Sequence, residues 1–171
     1  MIIDISSVLT GEKPSLDINY EIPLSEADLL TENLFGAKPT SPVSVSGSVK
    51  NNGGCTTLYL TASFEYSGEC ARCLDAVSGS FSLDFERTVV AEGSLESSDE
   101  EDYVITKDGS ISPDLQLCEE LSLSFPSKLL CDEDCPGLCP KCGKPKKEGK
   151  CGCPEKEIDP RLKILAQLLE K

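Results

Sequence analysis

From Ser15 to Ile22 polar and apolar residues alternate, which places Leu16, Ile18, Tyr20 and Ile22 on one face of an extended strand. The run from Val43 repeats the pattern with Val43, Val45 and Val49. Asn51, Asn52, Gly53 and Gly54 then supply residues that tolerate positive φ in a tight turn. Beyond that turn Leu58, Leu60, Ala62, Phe64 and Tyr66 share one side, and a third run puts Val77, Phe81, Leu83, Phe85 and Val89 on one side. Period-two alternation with polar residues opposite predicts an antiparallel meander with one buried and one wet face.

The pattern then changes. Residues 92–102 hold six carboxylates among Ser and Gly, too little apolar surface to offset the entropy of ordering, so they predict a mobile loop. A short strand is expected at Tyr103–Thr106, followed by a Lys-Asp-Gly-Ser turn. Ser112 as N-cap and Pro113 at the first helical position then open a helix, with Leu115, Cys118 and Leu121 at helical spacing and Pro126 ending it. A second helix is predicted after Asp159 and Pro160, with Leu162, Leu165, Leu168 and Leu169 as its apolar stripe. At about ten residues it is too short to persist alone in water and must dock on something.

These elements predict an α+β protein: an antiparallel sheet able to curl toward a barrel, one packed helix, and a Cys-rich tail ending in a helix. The expected division is a sheet and helix domain over 1–130 and a tail over 131–171.

Charge sharpens this division. The 171 residues carry 16 Lys and Arg against 30 Asp and Glu, a net charge of −14. Residues 1–140 hold 7 basic and 25 acidic side chains, and residues 141–171 hold 9 and 5. An acidic body repels a phosphate backbone, so nucleic-acid contact is expected only in the tail, at Lys141, Lys144, Lys146, Lys147 and Lys150. A solvated turn is the plainer explanation of that cluster. The start of the chain lacks an export signal, and no run of about 18 apolar residues could span a bilayer, so a cytoplasmic protein without a membrane partner is expected.

There is no His, hence no imidazole for acid–base work near neutral pH. Acidic pairs such as Asp132 with Asp134, or Glu100 with Glu101, are ordinary solvated carboxylates. No nucleophile with a partnered base and no phosphate-binding glycine loop is evident, so neither an enzyme nor a small-molecule substrate is expected.

The ten Cys carry the chemistry. Cys139 and Cys142 in a C-x-x-C turn, with Gly143 to bend the backbone, are followed by Cys151 and Cys153. Four thiolates from one short stretch satisfy a tetrahedral Zn²⁺, a common stabiliser of segments too small for a core. A disulfide framework is the alternative, disfavoured where thiols stay reduced. Cys70 and Cys73 lie at a turn between predicted strands, and Cys131 and Cys135 follow the helix. If the fold joins these pairs, a second Zn²⁺ staples the tail segment to the sheet. A redox-active Cys70/Cys73 dithiol and a single metal site drawing differently on these pairs are the competing arrangements. Cys55 and Cys118 are expected to be buried and inert.

The order of these features resembles the YceD-type family of large ribosomal RNA subunit accumulation proteins. The resemblance rests on Gly68-Glu69-Cys70-Ala71-Arg72-Cys73, the Leu129–Gly143 string, the Cys-Gly-Cys at 151–153 and the ending from Asp159. It covers about residues 45–171, and it implies a non-enzymatic factor for large-subunit ribosomal RNA accumulation or ribosome assembly. Its partner would be that RNA, a precursor particle or a basic ribosomal protein. The resemblance also supports grouping Cys70 and Cys73 with Cys131 and Cys135 as ligands. A zinc-thiol redox switch, or a chaperone-like acidic module for a basic protein, uses the same residues and is the alternative function.

Overall fold

The computed structural model describes residues 1–26, 30, 34–92, 103–149 and 151–153. Most of the predicted acidic loop, Lys150 and the predicted C-terminal helix lie outside the described residues. The chain forms two compact units, Met1–Cys131 and Asp132–Lys171.

The first unit opens with β1 (Ile3–Asp4) and a single helical turn, α1 (Ser6–Leu9), followed by β2 (Ser15–Ile22), β3 (Lys38–Pro39), β4 (Val43–Asn52), β5 (Cys55–Glu69) and β6 (Ala76–Ala91). After these come β7 (Tyr103–Thr106), β8 (Ser110–Ile111) and the helix α2 (Pro113–Ser124). The main sheet has the order β2-β4-β5-β6-β7, with β3 added to β5 at Ser67 and Tyr66. The Asn-Asn-Gly-Gly turn joins β4 to β5 as predicted, Asn52 pairing with Cys55. Gly53 and Gly54 take φ of 64° and 96°, which a side chain would resist.

Two pairings differ from a simple meander. β7 runs parallel to β6, Thr88 opposite Tyr103, so the sheet is mixed. A parallel neighbour needs a crossover rather than the hairpin of a meander. β1 pairs with β8 as a separate two-stranded ladder, bringing the chain start beside residues 110–111. Among the described residues no strand closes the sheet into a barrel.

The alternating positions meet in one core. Ile18, Val43, Val45, Val49, Leu58, Leu60, Ala62, Phe64, Leu83 and Val89 are buried on one face of the sheet. Gly47 has no room for a side chain, because a Cβ there would collide with the Tyr59 carbonyl. α2 covers this face, but with a different stripe from the predicted one. Pro113, Leu117 and Leu121 are buried at i, i+4 and i+8, whereas Leu115 is 56% exposed and Cys118 only half-buried. Ser112 precedes the helix in an extended conformation but makes no side-chain cap. Phe125, extended because Pro126 follows it, ends the helix and packs edge-on against Tyr66 and Phe81.

The second unit has a bridge between Leu138 and Pro145 and a 3₁₀ turn at Lys146–Glu148. Its buried described residues are Cys135, Gly137 and Cys139, none with a large apolar side chain. No helix among the described residues is long and apolar enough to cross a membrane.

Candidate metal centres

In the second unit a tight turn starts at Cys139. The Cys139 N–H donates to the Lys144 carbonyl at 2.8 Å, and the Gly143 N–H returns to the Cys139 carbonyl at 2.8 Å. Gly143 at φ 72° and Gly137 at φ 70° provide the left-handed backbone this path needs. The Lys146 N–H reaches the Gly137 carbonyl at 2.9 Å and closes the loop over the turn. Folded this way, the Sγ atoms of Cys139, Cys142, Cys151 and Cys153 all lie within 4.8 Å of one another.

The electrostatics of this group suit a cation. Backbone N–H groups of Cys142 and Lys141 point at the Cys139 sulfur and, with the Cys151 and Cys142 thiols, bring its pKa down to about 6. The Cys153 thiol moves the other way, to about 12, because it donates to the sulfurs of Cys142 and Cys151. Cys151 is also raised, chiefly by donating to Cys139. The Cys139 sulfur thus favours the thiolate near neutral pH, whereas Cys151 and Cys153 favour the protonated thiol. A divalent cation would replace those protons and satisfy all four sulfurs, as in a closed four-thiolate site.

In the first unit the turn after β5 does similar work. The Cys70 N–H donates to the Asp75 carbonyl at 2.8 Å, and the Leu74 N–H to the Cys70 carbonyl at 2.9 Å. Leu74 completes the turn at φ 65°, an uncommon conformation for a branched residue. The Ala71 N–H then donates to the Leu129 carbonyl at 2.8 Å, which draws the segment leading to Cys131 alongside. Gly68 leaves the space that the Leu129 side chain fills.

The sulfurs of Cys70, Cys73 and Cys131 consequently fall within 4.8 Å of one another. Cys73 and Cys131 are 3.5 Å apart, well beyond the roughly 2.05 Å of an S–S bond. The Cys131 N–H donates to the Cys70 sulfur and, outweighing burial, lowers that thiol to about 6. Cys70 and Cys73 are buried and Cys131 is exposed. Cys135 is buried in the first turn of the second unit, where its N–H meets the Asp132 carbonyl at 3.0 Å.

Cys55, by contrast, is exposed at the start of β5, against the expectation of a buried thiol. The Gly-Gly turn before it leaves nothing to cover its side chain. The lysines expected to meet nucleic acid divide as follows: Lys141, Lys144, Lys146 and Lys147 are exposed around the four-cysteine turn, and Lys150 is outside the described residues. Sequence alone did not reveal the Leu129 backbone contact that gathers the first thiol group. The adjacent Gly68 was its one visible signal.

Fold and site together define a sheet-built protein with thiol clusters able to hold metal ions. The family model for the large ribosomal RNA subunit accumulation protein YceD matches residues 58–169, and the chain belongs to that family. It is 35% identical over 104 residues to the uncharacterized proteins Mb2951c of Mycobacterium bovis and Rv2926c of Mycobacterium tuberculosis, covering 60% of this chain and 50% of each relative. The uncharacterized protein ML1660 of Mycobacterium leprae is 32% identical over 103 residues, covering 59% and 47%. The chain thus spans about half the length of the curated relatives it matches. No solved structure gives a significant match.

Proposed function

We propose that this protein is a non-enzymatic cytoplasmic factor that promotes accumulation of large-subunit ribosomal RNA during ribosome assembly. Family membership over residues 58–169, which take in the thiol groups, is the observation that carries this reading. Two structural Zn²⁺ ions hold the working surfaces in place. One is bound by Cys139, Cys142, Cys151 and Cys153. The other is bound by Cys70, Cys73 and Cys131, with Cys135 as its fourth ligand. Zinc suits these groups because an all-thiolate set favours a soft, tetrahedral ion.

The ion would fix the turn from which Lys141, Lys144, Lys146 and Lys147 project. In a chain of net charge −14 these exposed lysines are the surface best suited to phosphate, so they contact ribosomal RNA or a precursor particle. The residues themselves bind and orient; no bond is made or broken.

Depletion in the native cell, with large- and small-subunit ribosomal RNA and particle profiles measured on one lysate, tests the proposal. A selective fall in large-subunit RNA is expected, and an unchanged ratio would overturn it. Replacing Lys144, Lys146 and Lys147 together by Glu should weaken association with precursor particles while zinc content stays constant. Undiminished association would reduce the lysines to counter-charge for the thiolates.

A further inference from the structure

β6 is paired with β5 from Ala76 to Val89, but on its other side it meets β7 only from Thr88 to Ala91. From Ala76 to Arg87 that edge has no strand partner among the described residues. Every second residue there turns its N–H and C=O outward, forming a template for another strand.

Side chains on the two faces of this edge differ. Ser78, Ser80, Ser82, Asp84 and Glu86 are exposed on the wet face. The register sets Asp84 beside Thr61, Glu86 beside Tyr59 and Ser80 beside Glu65, so small hydroxyls alternate with carboxylates across the sheet. Asp17 and Glu21 add negative charge on β2, and Lys50 on β4 and Lys38 on β3 are basic residues of the same face. On the opposite face Val77, Phe81 and Phe85 are only half-buried, although Phe81 already meets Phe64 at a tilt and Phe125 edge-on. An added strand would meet carboxylates on one side and incompletely covered apolar groups on the other.

We propose that the open edge of β6 binds, by strand addition, an extended segment of a partner protein in which cationic and apolar side chains alternate. Main-chain hydrogen bonds supply the affinity and the alternating side chains the specificity. A second copy of this chain fits poorly, since pairing β6 with itself would join two acidic faces on molecules each carrying −14 and supply no cation for Asp84 or Glu86. The proposal concerns residues other than the thiol ligands and the lysines, and its test does not depend on ribosomal RNA.

The probe is an end-capped ten-residue peptide of alternating Lys and Val, titrated into the full chain as purified, with backbone amides followed by NMR. Exchange of the outward amides in 76–87 should slow at least tenfold while the β4 amides do not change. A peptide of the same composition with Lys and Val in two blocks should bind at least tenfold more weakly, as should the alternating peptide N-methylated along one edge. The double variant Asp84→Lys, Glu86→Lys should also lose at least tenfold in affinity, with β5 exchange protection showing that the sheet is intact. Equal binding of the block peptide would overturn the proposal in favour of diffuse attraction. Protection of 76–87 without peptide, together with a dimer in sedimentation, would overturn it in favour of self-pairing. Absence of binding would overturn it outright.

Discussion

The first unit buries Val, Leu, Ile and Phe from six strands and two helices, whereas the described part of the second unit buries two cysteines and a glycine. Each buried Leu or Phe removed from water contributes about 1.5–3 kcal/mol, and the first unit has many of them. The described part of the second unit has no such reserve, so ligand bonds to a metal would supply the folding free energy of that part. Apolar burial in the one and proposed metal ligation in the other should fail under different treatments.

Removing metal should separate them most sharply. Binding of a structural zinc contributes about 10–16 kcal/mol in comparable small units. Chelation, or Cys139→Ser, should therefore leave the described backbone of residues 137–149 exchanging its amides as an unfolded segment would, while β5 keeps its protection. Retained protection in the metal-free second unit would erase the contrast.

The reverse experiment acts on the hydrocarbon. Leu60→Ala or Leu117→Ala, at positions 2% and 0% exposed, should cost the first unit about 2–5 kcal/mol in urea unfolding. Metal content at Cys139, Cys142, Cys151 and Cys153 should not change.

A smaller effect tests how α2 is held. The Tyr20 hydroxyl donates to the Asp114 carboxylate at 2.6 Å. Burial, then Asp114 and the nearby Cys118, push its pKa well above the ordinary value. The raised value means that its contribution is complete below about pH 10, the unfolded pKa, and is lost as pH rises further. Tyr20→Phe should cost about 1 kcal/mol at neutral pH and flatten the alkaline part of the stability curve.

The smallest difference is one of rate. Cys55 is exposed, whereas the Cys118 thiol is half-buried and raised by that burial and by Asp114 and Glu119. At pH 8 a thiol reagent should modify Cys55 first, without unfolding either unit. Faster modification of Cys118 would mean that α2 packs less closely than described.

The same comparison explains what could be read in advance. Strand faces were legible because Leu58, Leu60, Ala62 and Phe64 obey a period of two that burial on one side enforces. The four-cysteine group of the second unit was legible because its ligands are close in sequence and a short turn must bring them together. The α2 stripe was misjudged since Leu115, Leu117 and Leu121 offer overlapping helical spacings, and only the sheet beneath selects 117 and 121. The parallel β6–β7 pairing and the β1–β8 ladder join residues distant along the chain, where local pattern carries no information about direction or partner. Cys70 and Cys131 are of this second kind: spacing paired each with its neighbour, but their meeting depends on a backbone hydrogen bond to Leu129.

That meeting also shapes the chain before it folds. Cys73 and Cys131 are 58 positions apart, and between them lie β6, β7, β8 and α2. A metal retained on these sulfurs in the denatured protein would keep this stretch as a closed ring, removing loop-closure entropy equivalent to about 4 kcal/mol by the relation used for disulfide cross-links. Refolding from such a ring begins with the ends of this stretch already joined, and β6 and α2 then search for each other within a small volume.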